Sequence, residues 1–149
     1  MNKIKFQTKQ ATTLDIEKHL VECDDFFVPP LSNKVNIKTY SKKIYDFAIT
    51  FEAWEESRLV GLIAVYFNDI STKIGFITNV SVSPNCLGKG IAKKLLKLSK
   101  EYAKNQFYTE IKLEVDKNNL KAISLYKKNG FELIPEELNN NLVFKHKVV

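Results

Sequence analysis

The sequence predicts a single-domain mixed α/β fold of the α+β type, in which a mostly antiparallel sheet of about six to seven strands is flanked by helices. Three observations predict this class. Strand-forming segments joined by short turns fill residues 47–82, the spacing of apolar residues changes to helical after Pro84, and strand and helix patterns alternate from there onward. The chain has 149 residues, 44% of them hydrophobic, which is enough for a domain with its own core. We therefore expect one domain over residues 1–149.

The first third of the chain contains short periodic segments and an apolar loop. Ile4 and Phe6 alternate with polar neighbours and predict an opening strand, and Thr12 begins a segment typical of a capped helix start. Residues 26–31 are apolar and contain two prolines, so this loop packs into the core, lines a pocket, or does both. A short helix is predicted over residues 41–46.

Residues 47–82 predict an antiparallel meander of three strands. Its segments, 47–54, 59–67 and 74–82, are rich in strand formers and are separated by short turns. Pro84 ends the third strand, because proline cannot donate a ladder hydrogen bond.

After this meander the apolar residues recur at helical spacing. Ile91, Leu95, Leu98 and Tyr102 form one stripe with lysines on the opposite face, which predicts an amphipathic helix. The rest of the chain predicts a strand, a second helix that ends at an Asn-Gly pair, and two closing strands, at residues 111–115, 118–128, 131–134 and 142–148.

Charge and cysteine content limit the classes of partner. Lysine and arginine total 23 against 17 acidic residues, so the net charge is +6, and Arg58 is the only arginine. Proteins that read base edges usually depend on the bidentate arginine fork, so nucleic acid is the weaker interpretation of this charge. Cys23 and Cys86 lack metal-ligand spacing and are expected to be buried thiols. We expect a cytoplasmic protein with no metal, no secretory signal and no membrane span.

The segment from Val80 to Ala92, VSVSPNCLGKGIA, predicts an anion-binding loop between a strand and a helix. The first amides of a helix have no internal acceptor, and the helix dipole adds partial positive charge there. Gly88 and Gly90 leave room for a diphosphate to approach those amides, and Lys89 adds mobile positive charge. By itself, this pattern is also compatible with an ordinary turn.

Val80 to Leu96 resembles the acetyl-CoA-binding motif of the GNAT superfamily of N-acetyltransferases. The family pattern Gln/Arg-x-x-Gly-x-Gly/Ala is matched from Leu87 to Ala92, with Leu87 in place of the usual Gln or Arg. The resemblance covers about residues 59–134 and implies that acetyl-CoA is the co-substrate. It implies main-chain bonds to the pantetheine arm from Val80, Ser81 and Val82, and pyrophosphate binding by Gly88, Lys89, Gly90, Ile91, Ala92 and Lys93.

A second block, around Asn119 and Tyr126, resembles the family's second conserved motif. These residues are seven apart, so on a helix they share one face at about 10 Å along the axis. The resemblance implies that Asn119 binds the cofactor and that Tyr126 lies near its sulfur. The alternatives are that Asn119 only caps the helix and that Tyr126 is a core aromatic.

The resemblance implies direct attack of an amine on the acetyl thioester. Tyr126 is then the candidate general acid. Glu114 corresponds in position to a glutamate that serves as base in some family members and is the candidate general base; the alternative is that it is a surface carboxylate on a strand. Rival bases that the sequence does not rank are Glu52, Asp69 and Asp116, whereas His19 and His146 lie outside both motifs and are expected at the surface.

The acceptor is expected to be a primary amine, with a small molecule favoured over a protein. Residues 26–31 and the region of Trp54 are expected to shape its pocket. Two other functions stay open: a non-catalytic acyl-CoA sensor, which Leu87 would suit, and a nucleic-acid accessory protein, which the net charge would suit. The sequence leaves a homodimer open.

Overall fold

The computed structural model describes residues 3–148, and in this range a seven-stranded sheet is flanked by four α-helices. This confirms the predicted fold class. The strands are β1 Ile4–Thr8, β2 Ile49–Glu55, β3 Arg58–Tyr66, β4 Ile74–Val82, β5 Glu110–Asp116, β6 Glu132–Leu138 and β7 Asn141–Lys147. The helices are α1 Thr13–Cys23, α2 Ile37–Phe47, α3 Ile91–Asn105 and α4 Leu120–Lys128.

Side-chain caps set where the first two helices begin. Thr12 forms a capping box with Asp15 before α1, as the sequence predicted. The Asn36 side chain accepts from Thr39 N and begins α2 at Ile37, so this helix is longer than the predicted 41–46 segment. Phe47, which was predicted to begin a strand, is the last residue of α2 instead.

The sheet buries a hydrophobic core on each of its two faces. On one face, α3 contributes Ile91 and Leu95 to a cluster with β3 and β5. On the opposite face, α1 contributes Leu20 and α2 contributes Ile44, both of which are fully buried. Burial of each such aliphatic side chain contributes about 1.5–3 kcal/mol, so the two cores hold all four helices against the sheet.

The strand order is β1-β2-β3-β4-β5-β7-β6, and the only parallel pair in the described range joins β4 to β5. That pair is short: it runs from Ile74 opposite Glu110 to Ile77 opposite Leu113 and ends there. Beyond Ile77, β4 and β5 are no longer paired with each other. An opening therefore forms between the C-terminal halves of β4 and β5.

A β-bulge at Thr78 marks the point where the opening begins. Ala64 of β3 pairs with Asn79 and Val65 pairs with Ile77, so Thr78 is an extra residue on β4. The extra residue reverses the alternation, and Ile77 and Val80 consequently pack in the same core although they are three positions apart. Asn79 and Ser81 are buried as well, on the side of the sheet that α1 covers.

Glu52 ties the first helix to the sheet. Its side chain is fully buried, and its carboxylate accepts hydrogen bonds from the backbone N–H groups of Gln10 and Ala11. Thr50 Oγ1 and Trp54 Nε1 donate to the same carboxylate, at 2.6 Å and 3.0 Å. Glu52 is thus a structural anchor between β2 and the chain that leads into α1.

Within residues 3–148, each helix is too short or too polar to cross a bilayer. The thiols of Cys23 and Cys86 are free and buried, as predicted.

Candidate active site

A cavity of about 490 Å³ occupies the opening between β4 and β5. One end is bounded by the loop that precedes α3 and by one face of α4, and the other end by the apolar loop after α1. It brings together almost all of the residues that the sequence singled out. These are Val80, Ser81, Val82, Gly88, Gly90, Ile91, Ala92, Lys93, Glu114, Asn119 and Tyr126; Lys89 is exposed and is not in the lining.

The loop before α3 has the geometry of an anion cradle. Gly88 and Gly90 have φ angles of 79° and 73°, in the left-handed region that glycine adopts without strain. Gly90 caps α3 without a side-chain hydrogen bond, and the first backbone bond of the helix runs from Lys94 N to Gly90 O. The amides of Ile91, Ala92 and Lys93 therefore have no intrahelical acceptor and point out of the helix end.

A basic groove continues from this cradle along α3. It has a volume of about 370 Å³ and is lined by Gly90, Lys93, Lys94, Lys97, Lys100 and Asn129. Lys100 donates from Nζ to the backbone oxygen of Asn129, and partial burial lowers its pKa. The lysines of the groove give this end of the cavity a positive potential that suits phosphate groups.

Residues 78–82 of β4 expose a free main-chain edge to the cavity. The edge has no strand partner on the β5 side, so an extended ligand can add to it as another strand would. Val80 and Val82 pack against the core under α3, whereas Ser81 projects to the opposite face. The main-chain groups of Val80 and Val82 therefore face the open edge. Those of Ser81 point toward β3 instead, because Ser83 N, two residues further along the strand, donates to Val60 O of β3.

Asn119 lies at the first turn of α4, inside the cavity. Its Oδ1 accepts from Ala122 N at 3.2 Å, which is the capping role that the sequence left as an alternative. Among the residues that the structure describes, its Nδ2 has no hydrogen-bond partner. The Asn119 side-chain oxygen thus caps α4, and its Nδ2 group is available to a ligand.

Tyr126 lies on α4 with 7% of its surface exposed. Its ring packs against Phe131 and Phe144, so it is a core aromatic as well as a cavity residue. Burial raises the pKa of its hydroxyl above the ordinary value of 10.0. Within residues 3–148 the hydroxyl makes no hydrogen bond, and it stays protonated at neutral pH, as a general acid requires.

The four candidate bases are now separated by position. Glu114 is exposed between the buried Leu113 and Val115, lines the cavity, and accepts from Asn141 Nδ2 at 3.3 Å. Asp116 also lines the cavity, but its Oδ1 accepts from Asn118 N and shapes the turn before α4.

The other two carboxylates lie outside the cavity. Glu52 is held by its four donors in the core under α1. Asp69 is in the exposed turn before β4, at the end of that strand remote from the opening, and accepts from Ser71 and Thr72. Of the four carboxylates, only Glu114 and Asp116 line the cavity and are left as candidate bases.

The prediction that His19 lies at the surface is wrong. His19 is 2% exposed, and its Nε2 lies 2.9 Å from the Oγ of Ser81. The sequence shows helical spacing from Ile16 to Leu20, but only the tertiary structure shows that β4 presents a hydroxyl to this side of α1. His146 is partly exposed, and its Nδ1 lies 2.9 Å from Gly130 O.

Burial of His19 predicts a pH dependence of stability. Burial lowers its pKa from 6.5 to about 4, so between these values the unfolded chain binds a proton that the folded protein does not. Stability must therefore fall as the pH falls, and between pH 7 and pH 5 we expect a loss of about 2 kcal/mol from this group. Urea unfolding at the two pH values measures it.

The matched variant is His19→Gln, which keeps an N–H donor but cannot titrate. Its free energy of unfolding should change by about 2 kcal/mol less than that of the native protein over this pH range. Equal pH dependence in the two proteins would contradict the buried neutral imidazole.

The apolar loop after α1 forms the far wall of the cavity. Leu31 is buried in the core, whereas Phe26 is 60% exposed, so the loop both packs inward and lines the cavity. Trp54, which was expected to shape the same pocket, is not in the lining; its indole N–H binds Glu52 on the side of the sheet under α1.

The family model of the acetyltransferase (GNAT) family matches residues 15–131 of this chain. The chain is 29% identical over 134 residues to the streptothricin acetyltransferase of Escherichia coli, covering 83% of this chain and 76% of that protein. It is 31% identical over 101 residues to N-alpha-acetyltransferase 30 of Schizosaccharomyces pombe, covering 62% of this chain and 67% of that protein.

Among solved structures, the fold matches the PaiA N-acetyltransferase of Thermoplasma acidophilum in complex with coenzyme A. The TM-score is 0.74 at 17% identity, with 96% of this chain and 99% of that chain covered. The cradle before α3, the opening beside β4 and the matched family model agree with one another. The chain therefore belongs to the GNAT family and is an acetyl-CoA-dependent acyltransferase.

Proposed function

We propose that this protein transfers the acetyl group of acetyl-CoA to a primary amine of a small molecule by direct attack. The observation that carries the proposal is that one cavity joins the Gly88–Gly90 cradle, the Tyr126 hydroxyl and the Glu114 carboxylate. Phosphate binding, a proton donor and a proton acceptor are the groups that this reaction needs from the protein.

The cradle and the β4 edge would place the co-substrate. The amides of Ile91, Ala92 and Lys93 suit the pyrophosphate, and the lysine groove along α3 suits the remaining phosphate of coenzyme A. The free edge at residues 78–82 suits the amide groups of the pantetheine arm, which would lie between β4 and β5. Asn119 Nδ2 would bind the same arm from α4.

Tyr126 and Glu114 would carry the protons. A primary amine with a pKa of about 10.4 is almost entirely protonated near neutral pH and must lose a proton before it attacks. Glu114 lies at the exposed side of the cavity, where it can accept that proton directly or through water. The Tyr126 hydroxyl would give a proton to the departing thiolate, and a backbone amide of β4, at Val82 by our expectation, would bond the carbonyl oxygen.

The small-molecule acceptor is supported by the similarity to a streptothricin acetyltransferase and by the apolar loop over the cavity. The similarity to N-alpha-acetyltransferase 30 favours a second candidate, the α-amine of a protein N-terminus. We also propose a cytoplasmic setting, which the free thiols of Cys23 and Cys86 support.

Release of free coenzyme A thiol tests the proposal. The protein should release thiol from acetyl-CoA only when an amine is added, and the panel should include small amines and short peptides with a free N-terminus. A Gly90→Val variant, which forces a β-branched residue to φ 73°, should lose acetyl-CoA binding in calorimetry. Thermal stabilisation by acetyl-CoA without thiol release would favour a sensor, and an absence of binding to the native protein would contradict the proposal.

A further inference from the structure

Four polar side chains form a continuous row beside the cavity, and the proposed chemistry uses none of them. Cys23 Sγ lies 3.9 Å from His19 Nδ1, and His19 Nε2 lies 2.9 Å from Ser81 Oγ. Ser81 Oγ in turn donates to Asn79 Oδ1 at 2.8 Å. Every member is buried, with exposures of 2% for Cys23 and His19, 8% for Ser81 and 5% for Asn79.

The hydrogen bonds from His19 to Asn79 run in one direction. Burial raises the pKa of the Cys23 thiol to about 12, and its Sγ contacts the imidazole ring at 3.9 Å from Nδ1 and 3.8 Å from Nε2. His19 is neutral at pH 7, with its proton on Nε2, because the single hydroxyl proton of Ser81 is already committed to Asn79. His19 therefore donates to Ser81, Ser81 donates to Asn79, and Asn79 is the last acceptor.

This direction fixes the orientation of the Asn79 amide. With Oδ1 turned toward Ser81, the Nδ2 group with its two N–H donors is turned away from it. Tyr40 can take one of these donors: burial raises the pKa of its hydroxyl to about 12, and hydrogen bonds from Thr78 and Asn79 oppose the rise. The second N–H is left over, and Asn79 lines the cavity.

Asn79 and Ser81 lie on the face of β4 that α1 covers, since Ser81 contacts both His19 and Asn79. Cys23 and the apolar loop after α1 line the same cavity, whereas Val80 and Val82 face the core under α3. A ligand that reaches Asn79 from the apolar loop meets residues 78–82 from the side of the sheet opposite α3. The acceptor is placed on this side, because the cradle and the lysine groove on the α3 side suit the phosphates of coenzyme A.

We infer that Asn79 is a specificity-determining residue, held by His19 and Ser81, that binds a carbonyl or hydroxyl oxygen next to the acceptor amine. The inference rests on the proposed function. It predicts that the preferred acceptors are amino amides and amino alcohols rather than plain alkyl amines, because an unpaired buried N–H costs free energy that an alkyl group cannot offset. His19 is a positioning residue, since it acts on the acceptor only through Ser81 and Asn79.

The experiment compares kcat/KM for matched acceptor pairs of equal length in the thiol-release assay. Glycinamide is paired with propylamine, and ethanolamine is also paired with propylamine. Because the oxygen-bearing amines are also less basic, the preference due to Asn79 is measured as the change in the kcat/KM ratio between the native protein and Asn79→Ala, which should be about 10- to 100-fold. Asn79→Ala should remove the preference mainly through the KM of the acceptor.

Two variants at His19 separate positioning from folding. His19→Gln supplies an amide N–H to Ser81 and should keep most of the preference, whereas His19→Leu should lose it. Thermal stabilisation by coenzyme A is measured for every variant, so that only folded proteins are compared.

The outcomes are distinguishable. Thiol release at equal kcat/KM for both members of each pair would overturn the inference and leave the proposed function in place. The same holds if Asn79→Ala keeps the full preference. An absence of thiol release with every amine would overturn the proposed function and this inference with it.

Discussion

The Tyr126→Phe variant should lower kcat by about 10²–10⁴-fold, the contribution that a positioned general acid typically makes. The change removes only the hydroxyl, and the ring packing against Phe131 and Phe144 is retained. Because that hydroxyl has no partner within residues 3–148, its loss leaves no buried group unpaired. Steady-state kinetics with a saturating amine, together with calorimetric titration of acetyl-CoA, measures the two effects separately, and the affinity for acetyl-CoA should be nearly unchanged.

Tyr102→Phe is the matched control. Tyr102 is a half-buried tyrosine on α3 whose ring packs against Phe51 and Phe67, and it is outside the cavity lining. Its kcat should equal that of the native protein. A native kcat in Tyr126→Phe would remove Tyr126 from the chemistry and leave it as a core aromatic.

The Glu52→Ala variant should lose about 3–5 kcal/mol of stability, as expected when one side of a buried charged network is removed. Four groups donate to this carboxylate: the backbone N–H groups of Gln10 and Ala11, Thr50 Oγ1 and Trp54 Nε1. Truncation leaves all four without their acceptor and opens a cavity between β2 and α1. Urea unfolding followed by circular dichroism gives the free energy of unfolding.

Glu55→Ala is the control from the same strand. Glu55 is half-buried and makes no side-chain hydrogen bond in the described part of the chain, so its loss should change stability by less than about 0.5 kcal/mol. The pair also tests the rival assignment of Glu52 as the general base. Glu52→Gln, assayed at a temperature where it is folded, should keep the native kcat, and a large fall in kcat would return Glu52 to the list of bases.

Local features of the sequence predicted most elements because each depends on nearby residues. The capping box of Thr12 and Asp15 needs only a spacing of three, and the left-handed turn at Gly90 depends on the residue itself. The stripe from Ile91 to Tyr102 predicts α3 because its period matches the helix. The start of α2 at Ile37 was missed although Ile37, Tyr40 and Ile44 recur at helical spacing and Asn36 provides the cap.

The candidate site was predictable only in part. The cradle and the two motifs are contiguous in the chain, so the resemblance to the family motifs could name their residues. The row from Cys23 to Asn79 could not be named, since His19 and Ser81 are 62 residues apart and meet only when α1 packs on β4. The sequence could not rank the four candidate bases either, because their distances from the cavity depend on the fold. The structure places Glu52 in the core and Asp69 in a remote turn.

Spacing and residue type alone determined the mixed fold, the glycine turn before α3, and the pairing of Asn119 with Tyr126 on one helical face, because these depend on dihedral angles and short-range periodicity. Only the tertiary structure decided where β4 and β5 separate. That separation comes from one extra residue, Thr78, and from a ladder that ends at Ile77, both of which depend on the register between strands distant in the chain. The register between β3 and β4 depends on how the strands pack against each other. The tertiary structure therefore also decided on which face of β4 the Asn79 side chain lies.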